Sequence, residues 1–154
     1  MTFKKNILFS CAGGIFSIQN IIAINKIKDF KFNIYGLDIK EVGLPNKDFF
    51  LKISVCPNPH ENTEQYIKFI KNYCKKNNID VFFPLSDIEI EILCNANLIG
   101  LKTKIILPSK DNLDLLTDKF KFLSYLDEKK IIDEKIFKVD SIDDLENILN
   151  TKKL

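Results

Sequence analysis

Residues 7–17 read ILFSCAGGIFS, and this short stretch decides the fold. Residues 5–10 (KNILFS) suit a buried strand, the small residues 11–14 suit a tight turn, and the residues from Ile15 onward follow a helical period. A strand that passes through a small-residue turn into a helix is the first half of a βαβ unit, which predicts a parallel sheet. Because a helix N-terminus offers free N–H groups, the same turn raises the question of anion binding.

The alternation of strands and helices continues along the chain. We expect further strands at residues 31–37, 49–55, 80–84 and 102–107, with helices over residues 61–77 and from Ser86 or Asp87 to about Leu98. Five such units predict an α/β protein with a Rossmann-like parallel sheet, strand order 3-2-1-4-5 and helices on both faces. Beyond Pro108 we expect helical segments at 109–116 and 118–127, a short strand near 135–139 and a capped helix from Ser141.

Composition excludes several classes of protein. The 154 residues are 45% hydrophobic, which is enough for a core. With 23 Lys+Arg against 21 Asp+Glu, the formal net charge is only +2, and the charges are interspersed, so we expect no nucleic-acid partner. Lys and Asn interrupt every apolar run before it reaches signal-peptide or membrane length. These features predict a soluble, cytoplasmic protein with no membrane partner.

The cysteines suggest no metal chemistry. None of Cys11, Cys56, Cys74 and Cys94 forms a C-x-x-C pair, and the single His60 does not complete a zinc set with them at a usual spacing. We therefore predict reduced thiols and no metal site, with Cys74 packed in the core. Cys11 is not predicted as a nucleophile, because no base lies near it in sequence.

The opening turn can be interpreted in two ways. Its best match to the dinucleotide pattern G-x-G-x-x-G places Ala12, Gly14 and Ser17 at the three glycine positions, and Asp38 ends the second strand where a ribose-binding acid would lie. Two of the three glycines are thus replaced. Any βα unit with close helix packing also favours small residues there, so a purely structural role for the turn remains open.

A second motif follows the predicted fourth strand. Ser86 and Asp87 begin a helix, and Glu89 falls in its first turn, where a carboxylate is also favoured for capping and for its interaction with the helix dipole. In a sheet of order 3-2-1-4-5, however, strands one and four are neighbours, and ligands bind outside their carboxyl ends. We therefore expect the 11–14 turn and the 84–87 turn to face each other across one crevice.

Four segments together carry a family resemblance. They are NILFSCAGGIFSIQNIIAI (6–24), YGLDIK (35–40), IDVFFPLSDIEIEIL (79–93) and ILPSKDNLDLLTDKFKFLSYLDEKKI (106–131). In order and spacing they resemble the N-terminal part of ATP-grasp carboxylate–amine ligases, in the branch that resembles the carbamoyl-phosphate-synthase large chain and amino-acid ligases. The resemblance covers nearly the whole chain.

The resemblance implies a division of the chain. Residues 1–107 would be the pre-ATP-grasp domain, which helps to shape the acceptor-substrate site, and residues 108–154 would be a linker and the start of the ATP-grasp domain. In the pair Asp118-Lys119, the resemblance makes Lys119 a nucleotide contact, although an exposed lysine on a lysine-rich helix is the simpler interpretation. Residues 141–150 resemble the helix that precedes the family's glycine-rich phosphate loop.

The resemblance also limits what this chain is expected to do. The sequence reaches Leu154 before the glycine-rich loop, the adenine-clamping strands and the acidic residues that hold Mg²⁺ in the family. We therefore expect a fragment of a longer enzyme that is not catalytic alone, with ATP and Mg²⁺ as cofactors of the parent enzyme and none bound by this chain alone. No catalytic residue is predicted, and the carboxylate, the amine and the oligomeric state are left open.

The predicted substrate site combines both turns: Cys11, Ala12, Gly13, Gly14, Ser86, Asp87 and Glu89. Asp87 and Glu89 would orient a cationic acceptor, and the amides of Gly13 and Gly14 would take an anionic group. The expected partners are a small-molecule carboxylate or amine substrate, the rest of the ATP-grasp domain, and a possible second copy. Two alternatives remain: a free-standing nucleotide or dinucleotide module, and a non-catalytic dimerisation domain using Phe30, Phe32, Phe49 and Phe50, which we otherwise expect in the core.

Overall fold

The computed structural model describes residues 3–41, 47–133 and 136–151. Its five-stranded parallel sheet has the order β3-β2-β1-β4-β5, so the predicted Rossmann-like α/β fold is confirmed. The strands are β1 (Phe3–Phe9), β2 (Phe30–Asp38), β3 (Lys52–Val55), β4 (Val81–Phe83) and β5 (Lys104–Ile105). The helices are α1 (Ile15–Ile24), α2 (Thr63–Lys76), α3 (Asp87–Asn95), α4 (Lys110–Thr117), α5 (Lys119–Glu128) and α6 (Ile142–Thr151).

β1 lies at the centre of the sheet, where the direction of winding reverses. It pairs with β2 from Phe3↔Phe30 to Phe9↔Gly36, and with β4 from Ile7↔Val81 to Phe9↔Phe83. The residues that follow β1 and β4 therefore emerge side by side at the carboxyl edge of the sheet. This edge is the usual location of ligands in open α/β sheets.

The two faces of the sheet carry separate apolar clusters. Leu8 points to one face, where it packs with residues of β4, α2 and α3, including Phe82, Tyr66 and Leu93. Ile7 and Phe9 point to the other face, as the alternation of a strand requires. That second cluster includes Ala12, Ile21 of α1, Ile34 and Phe50. Cys74 is buried in the first cluster, as predicted.

The chain divides into two compact units. The first covers residues 1–110 and contains the whole sheet with α1, α2 and α3, while the second covers residues 111–154 and contains α5 and α6. Nearly all of the buried apolar residues belong to the first unit, and in the second only Leu113 is buried among the described residues.

Several elements differ in extent from the sequence-based prediction. The third strand begins at Lys52 rather than at Phe49, which ends a 3₁₀ turn, Lys47–Phe49; the fifth strand is Lys104–Ile105 rather than 102–107; and α3 ends at Asn95 rather than near Leu98. The short strand expected near 135–139 was wrong for residues 136–139, which have no regular structure, and Lys135 lies outside the described residues.

The four phenylalanines considered for a dimer surface are divided between core and surface. Phe50 is buried and Phe32 packs against the second cluster, whereas Phe30 and Phe49 are 37% and 40% exposed. Among the described helices, none combines the length and apolarity needed to cross a membrane.

Candidate functional site

A crevice of about 250 Å³ lies at the carboxyl edge of the sheet, next to the ends of β1 and β2 and to the first turn of α3. We call it the switch-point crevice. Its lining includes Ser10, Cys11, Asp38, His60, Ser86 and Glu89. The two turns that the sequence predicts to face each other are thus brought together, because β1 and β4 are adjacent strands.

A buried carboxyl group anchors the crevice. Glu89 is only 3% exposed, and it accepts hydrogen bonds from the hydroxyls of Ser10 and Tyr66. Ser10 in turn accepts a bond from the amide of Leu85, at 2.8 Å. Ser10 directly follows β1, Tyr66 belongs to α2 and Glu89 itself belongs to α3, so one carboxyl group joins three elements of the first unit. A buried polar group is expected to be hydrogen-bonded in this way, because leaving it unsatisfied is costly.

The surroundings of Glu89 shift its proton equilibrium. Burial raises the pKa of Glu89 above its usual range, and the hydrogen bonds from Ser10 and Tyr66 oppose that shift without cancelling it. Burial, reinforced by the nearby Glu89 carboxylate, also raises the pKa of Tyr66. Tyr66 therefore stays protonated and remains a hydrogen-bond donor to Glu89 at any physiological pH.

Asp38 closes the β1–α1 turn. Its carboxylate accepts a bond from the amide of Gly13 at 2.9 Å and one from the amide of Ile39 at 2.8 Å. The amide of Gly14 donates to the carbonyl of Cys11, also at 2.8 Å. Both amides that the sequence suggests for anion binding are therefore engaged within the chain. The Asp38 carboxylate fills the place beside Gly13 that an anionic ligand would take.

Cys11 has the geometry of a constrained turn residue rather than of a nucleophile. Its φ of 48° lies in the left-handed region, which non-glycine residues seldom adopt. Burial, with the Glu89 carboxylate next in effect, raises the pKa of the Cys11 thiol to about 11, so the thiolate is scarce at neutral pH. His60 lines the same crevice although it lies far away in sequence, yet no hydrogen bond joins it to Cys11 within the described structure.

The remaining predicted site residues lie around the crevice rather than in it. Ala12 is buried in the second apolar cluster, and Gly13 and Gly14 form the turn without lining the cavity. Asp87 is exposed and does not line it. Ser86, by contrast, does line the crevice; it occupies the N-cap position of α3, but its side chain makes no capping hydrogen bond.

Sequence reasoning missed several residues that line the crevice or hold Glu89 in place. Ser10 and Tyr66 were assigned to a strand and to an apolar helix stripe, which hid their hydroxyl groups. Asn58 and His60 reach the crevice from the loop between β3 and α2. The available signal was that this loop follows the carboxyl end of β3, at the same edge of the sheet as the other turns.

The chain's fit to ATP and Mg²⁺ is limited to Lys119. This residue is exposed at the first position of α5, next to Asp118, whose side chain caps the helix by accepting from the amide of Lys121. Across the described ranges, no group of three His, Cys, Asp or Glu side chains could hold a metal ion. The residues present do not form a nucleotide–metal site by themselves.

Comparison with known proteins adds little beyond the fold. No protein-family model matches the chain, and no curated protein matches it. Among solved structures, a crystal structure of RSP, a Rex-family repressor, is similar with 13% sequence identity and a TM-score of 0.35. The match covers 83% of this chain and 63% of the repressor chain, which is less than two thirds of that protein. The Rossmann-like assignment rests on the chain's own strand order.

Proposed function

We propose that this chain is the substrate-shaping N-terminal part of an ATP-dependent carboxylate–amine ligase, and that the switch-point crevice holds the amine substrate. One observation carries the proposal. The crevice at the topological switch point contains the carboxyl groups of Asp38 and Glu89, and its described lining includes no lysine, although the chain is rich in lysine.

The Asp38 carboxylate gives the crevice a negative charge, and an ammonium group bound beside Glu89 would favour the charged form of that carboxyl group against the burial that raises its pKa. A carboxylate accepts a charge-assisted hydrogen bond from an ammonium group, which is stronger than a bond between neutral groups. Cys11, Cys56 and the hydroxyl of Ser10 supply neutral walls, and burial, the largest cause, raises the pKa of Cys56 to about 12. At about 250 Å³ the crevice lies below the roughly 300–1,000 Å³ of sites for drug-sized ligands, so it suits a small amine.

In this proposal the chain contributes positioning and not phosphoryl transfer. ATP and Mg²⁺ in the parent enzyme would activate a carboxylate as an acyl phosphate, which the amine then attacks. Residues 1–107 would hold that amine in place, and holding a reactant in the correct geometry replaces a large entropic part of the barrier. Lys119 would act as a nucleotide contact together with residues of the parent enzyme.

The nucleotide-module alternative is less well supported by the same geometry. Phosphate groups at the opening turn would lie beside Asp38 and Glu89, and the Gly13 amide that would receive them already binds Asp38. Like charges at short range disfavour such a complex. Binding of NAD or a free nucleotide at residues 11–14 would overturn the amine-site proposal.

The amine site is tested by titration of the 154-residue protein with the common amino acids and short diamines. Amide chemical shifts in NMR spectra report the binding. We expect shifts at Cys11, Asp38 and Ser86. Glu89→Gln should weaken binding at least about tenfold, by loss of a charge-assisted bond. Glu91→Gln makes the same charge change at an exposed position of the same helix, and it should not weaken binding. Equal binding by both variants would contradict the proposal.

The ligase assignment is tested separately from the amine site. Intact mass spectrometry of the native polypeptide should give a mass well above the 17.8 kDa of this chain, and the full-length protein should form ADP only when a carboxylate and an amine are both present. A native mass of 17.8 kDa would overturn the ligase assignment and leave the crevice to be judged by its titration alone.

A further inference from the structure

We propose that a second cavity, at the opposite edge of the sheet, binds a small organic phosphate. This basic cavity has a volume of about 480 Å³ and lies where α2 ends and where β4 and β5 begin. Its polar lining includes Lys71, Lys75, Lys102, Asn72 and Asn78. The switch-point crevice lies at the carboxyl edge, so the two cavities are separate.

The three lysines give the cavity a concentrated positive charge. Lys71 and Lys75 are four residues apart on α2, so they lie on one face of the helix, and like charges at this spacing destabilise it. Lys102 comes from the loop before β5 and lines the same cavity. Lys71 is half-buried, although lysine side chains are usually exposed. This arrangement is more favourable with an anion bound.

Among the described residues, no carboxylate serves as a counter-ion for these lysines, although Lys75 lies in the last turn of α2, where the helix dipole favours a cation. The cavity's lining contains no Asp or Glu, and within the described residues none of the three lysines forms an ion pair. Asp80, at the start of β4, is engaged by Lys5 at 2.8 Å and by the amide of Asn6. The side-chain amides of Asn72 and Asn78 also make no hydrogen bond within the described structure, so both can donate to a ligand.

The apolar part of the lining indicates an organic ligand rather than a bare ion. Ile79 and Cys74 are buried at the cavity's base, Leu101 is half-buried, and Ile99 is 88% exposed at the cavity. A ligand with an apolar body would cover Ile99 and remove its surface from water. A phosphate monoester carries nearly two negative charges at neutral pH, which matches several ammonium groups better than a single carboxylate does.

The test titrates the 154-residue protein with three probes: phenyl phosphate, phenylacetate and inorganic phosphate. NMR and calorimetry measure the binding of each. We expect phenyl phosphate to bind most tightly and to shift the amides of Gly100 and Thr103. Because the attraction is electrostatic, the affinity should fall as salt is raised. Equal binding of phenylacetate and phenyl phosphate, or no binding of either, would overturn the proposal.

Paired lysine variants separate the cavity from general positive charge. Lys71→Gln/Lys75→Gln should weaken phenyl phosphate binding about tenfold, the combined effect of two partly exposed ion pairs. Lys68→Gln/Lys76→Gln removes the same charge from exposed positions of the same helix that do not line the cavity. This variant should bind phenyl phosphate nearly as tightly as the unaltered protein does. Equal loss in the two variants would contradict a defined site. Lys102→Gln, outside the helix, should weaken binding without any effect on α2.

Discussion

At the scale of single residues, Glu89 links stability to pH in an unusual direction. A carboxyl group whose pKa is raised by folding binds its proton more tightly in the folded chain than in the unfolded one. Its favourable contribution is therefore complete below the ordinary Glu pKa of about 4.5 and is lost as the pH rises through the higher folded value. Most paired carboxylates, such as Asp80, have a lowered pKa and behave in the opposite way.

We predict that Glu89→Gln removes this pH dependence. The free energy of unfolding of the unaltered protein, minus that of the variant, should fall as the pH rises above about 4.5, by up to about 1.4 kcal/mol per pH unit, and should level off above the folded pKa of Glu89. Urea denaturation at each pH measures the difference. Glu91→Gln serves as the control, because Glu91 is exposed on the same helix. A difference that rises with pH would show that Glu89 is held as a carboxylate.

The residue scale also shows how far the sequence determines the site. Cys11, Ser86 and Glu89 could be assigned to one crevice because chain order and strand order place them at the same edge of the sheet. The bond from Gly13 to Asp38 could not be predicted, since it depends on side-chain rotamers and turn geometry that no local pattern encodes. Tyr66 was hidden for a different reason: a buried tyrosine on an apolar helix stripe looks the same whether its hydroxyl is used or not.

At the scale of elements, the capping of α2 shows why helix starts differ in importance. Asn62 accepts a hydrogen bond from the amide of Gln65 at 3.0 Å, which satisfies one of the free amides of the first turn. Tyr66 lies immediately after this turn, so the cap also helps to place the hydroxyl that donates to Glu89. Ser86 holds the corresponding position of α3 without such a bond.

We predict that Asn62→Ala lowers the free energy of unfolding by about 1 kcal/mol, measured by urea denaturation with circular dichroism. Asn62→Asp should retain most of the stability, because an aspartate accepts the same bond. Ser86→Ala should cost much less, since its hydroxyl does not cap α3. A loss from Ser86→Ala as large as that from Asn62→Ala would mean that the two helix starts do not differ in this way.

Element boundaries were predicted best where the apolar pattern of the sequence and the backbone structure end at the same residues. β1 and β2 end in buried apolar residues that are followed by turn residues, and they were placed within two residues at each end. The third strand was predicted too long because Phe49 and Phe50 suit a strand. Phe50 instead directly follows a 3₁₀ turn, its amide donates to the carbonyl of Lys47, and its side chain packs in the second cluster. The helix α3 was extended to Leu98 because its apolar pattern continues, although the backbone becomes extended at Ala96.

At the scale of the whole molecule, charge is distributed unevenly although the net charge is only +2. Within the first unit, the carboxyl edge of the sheet carries an acidic crevice and the amino edge carries a basic cavity. The sequence shows interspersed charges, and only the parallel order of the strands sorts them to opposite edges. A cation and an anion could therefore bind the first unit together without competing for one surface.

Stability is also distributed unevenly, and two helices of equal length allow this to be measured. α1 and α6 each contain 10 residues, but α1 buries Ser17 and Ile21, whereas α6 has no buried residue. A helix this short is marginal in water without tertiary packing, and Ser141, whose hydroxyl accepts from the amide of Asp144, adds only a cap.

We predict that amide hydrogens of α6 exchange with solvent at least about 100-fold faster than those of α1, measured by NMR on the whole chain. Equal protection of the two helices would mean that the apolar stripe of Ile142, Leu145 and Leu149 is covered in solution, for instance by a second copy, and a concentration series would then distinguish self-association from intrinsic stability.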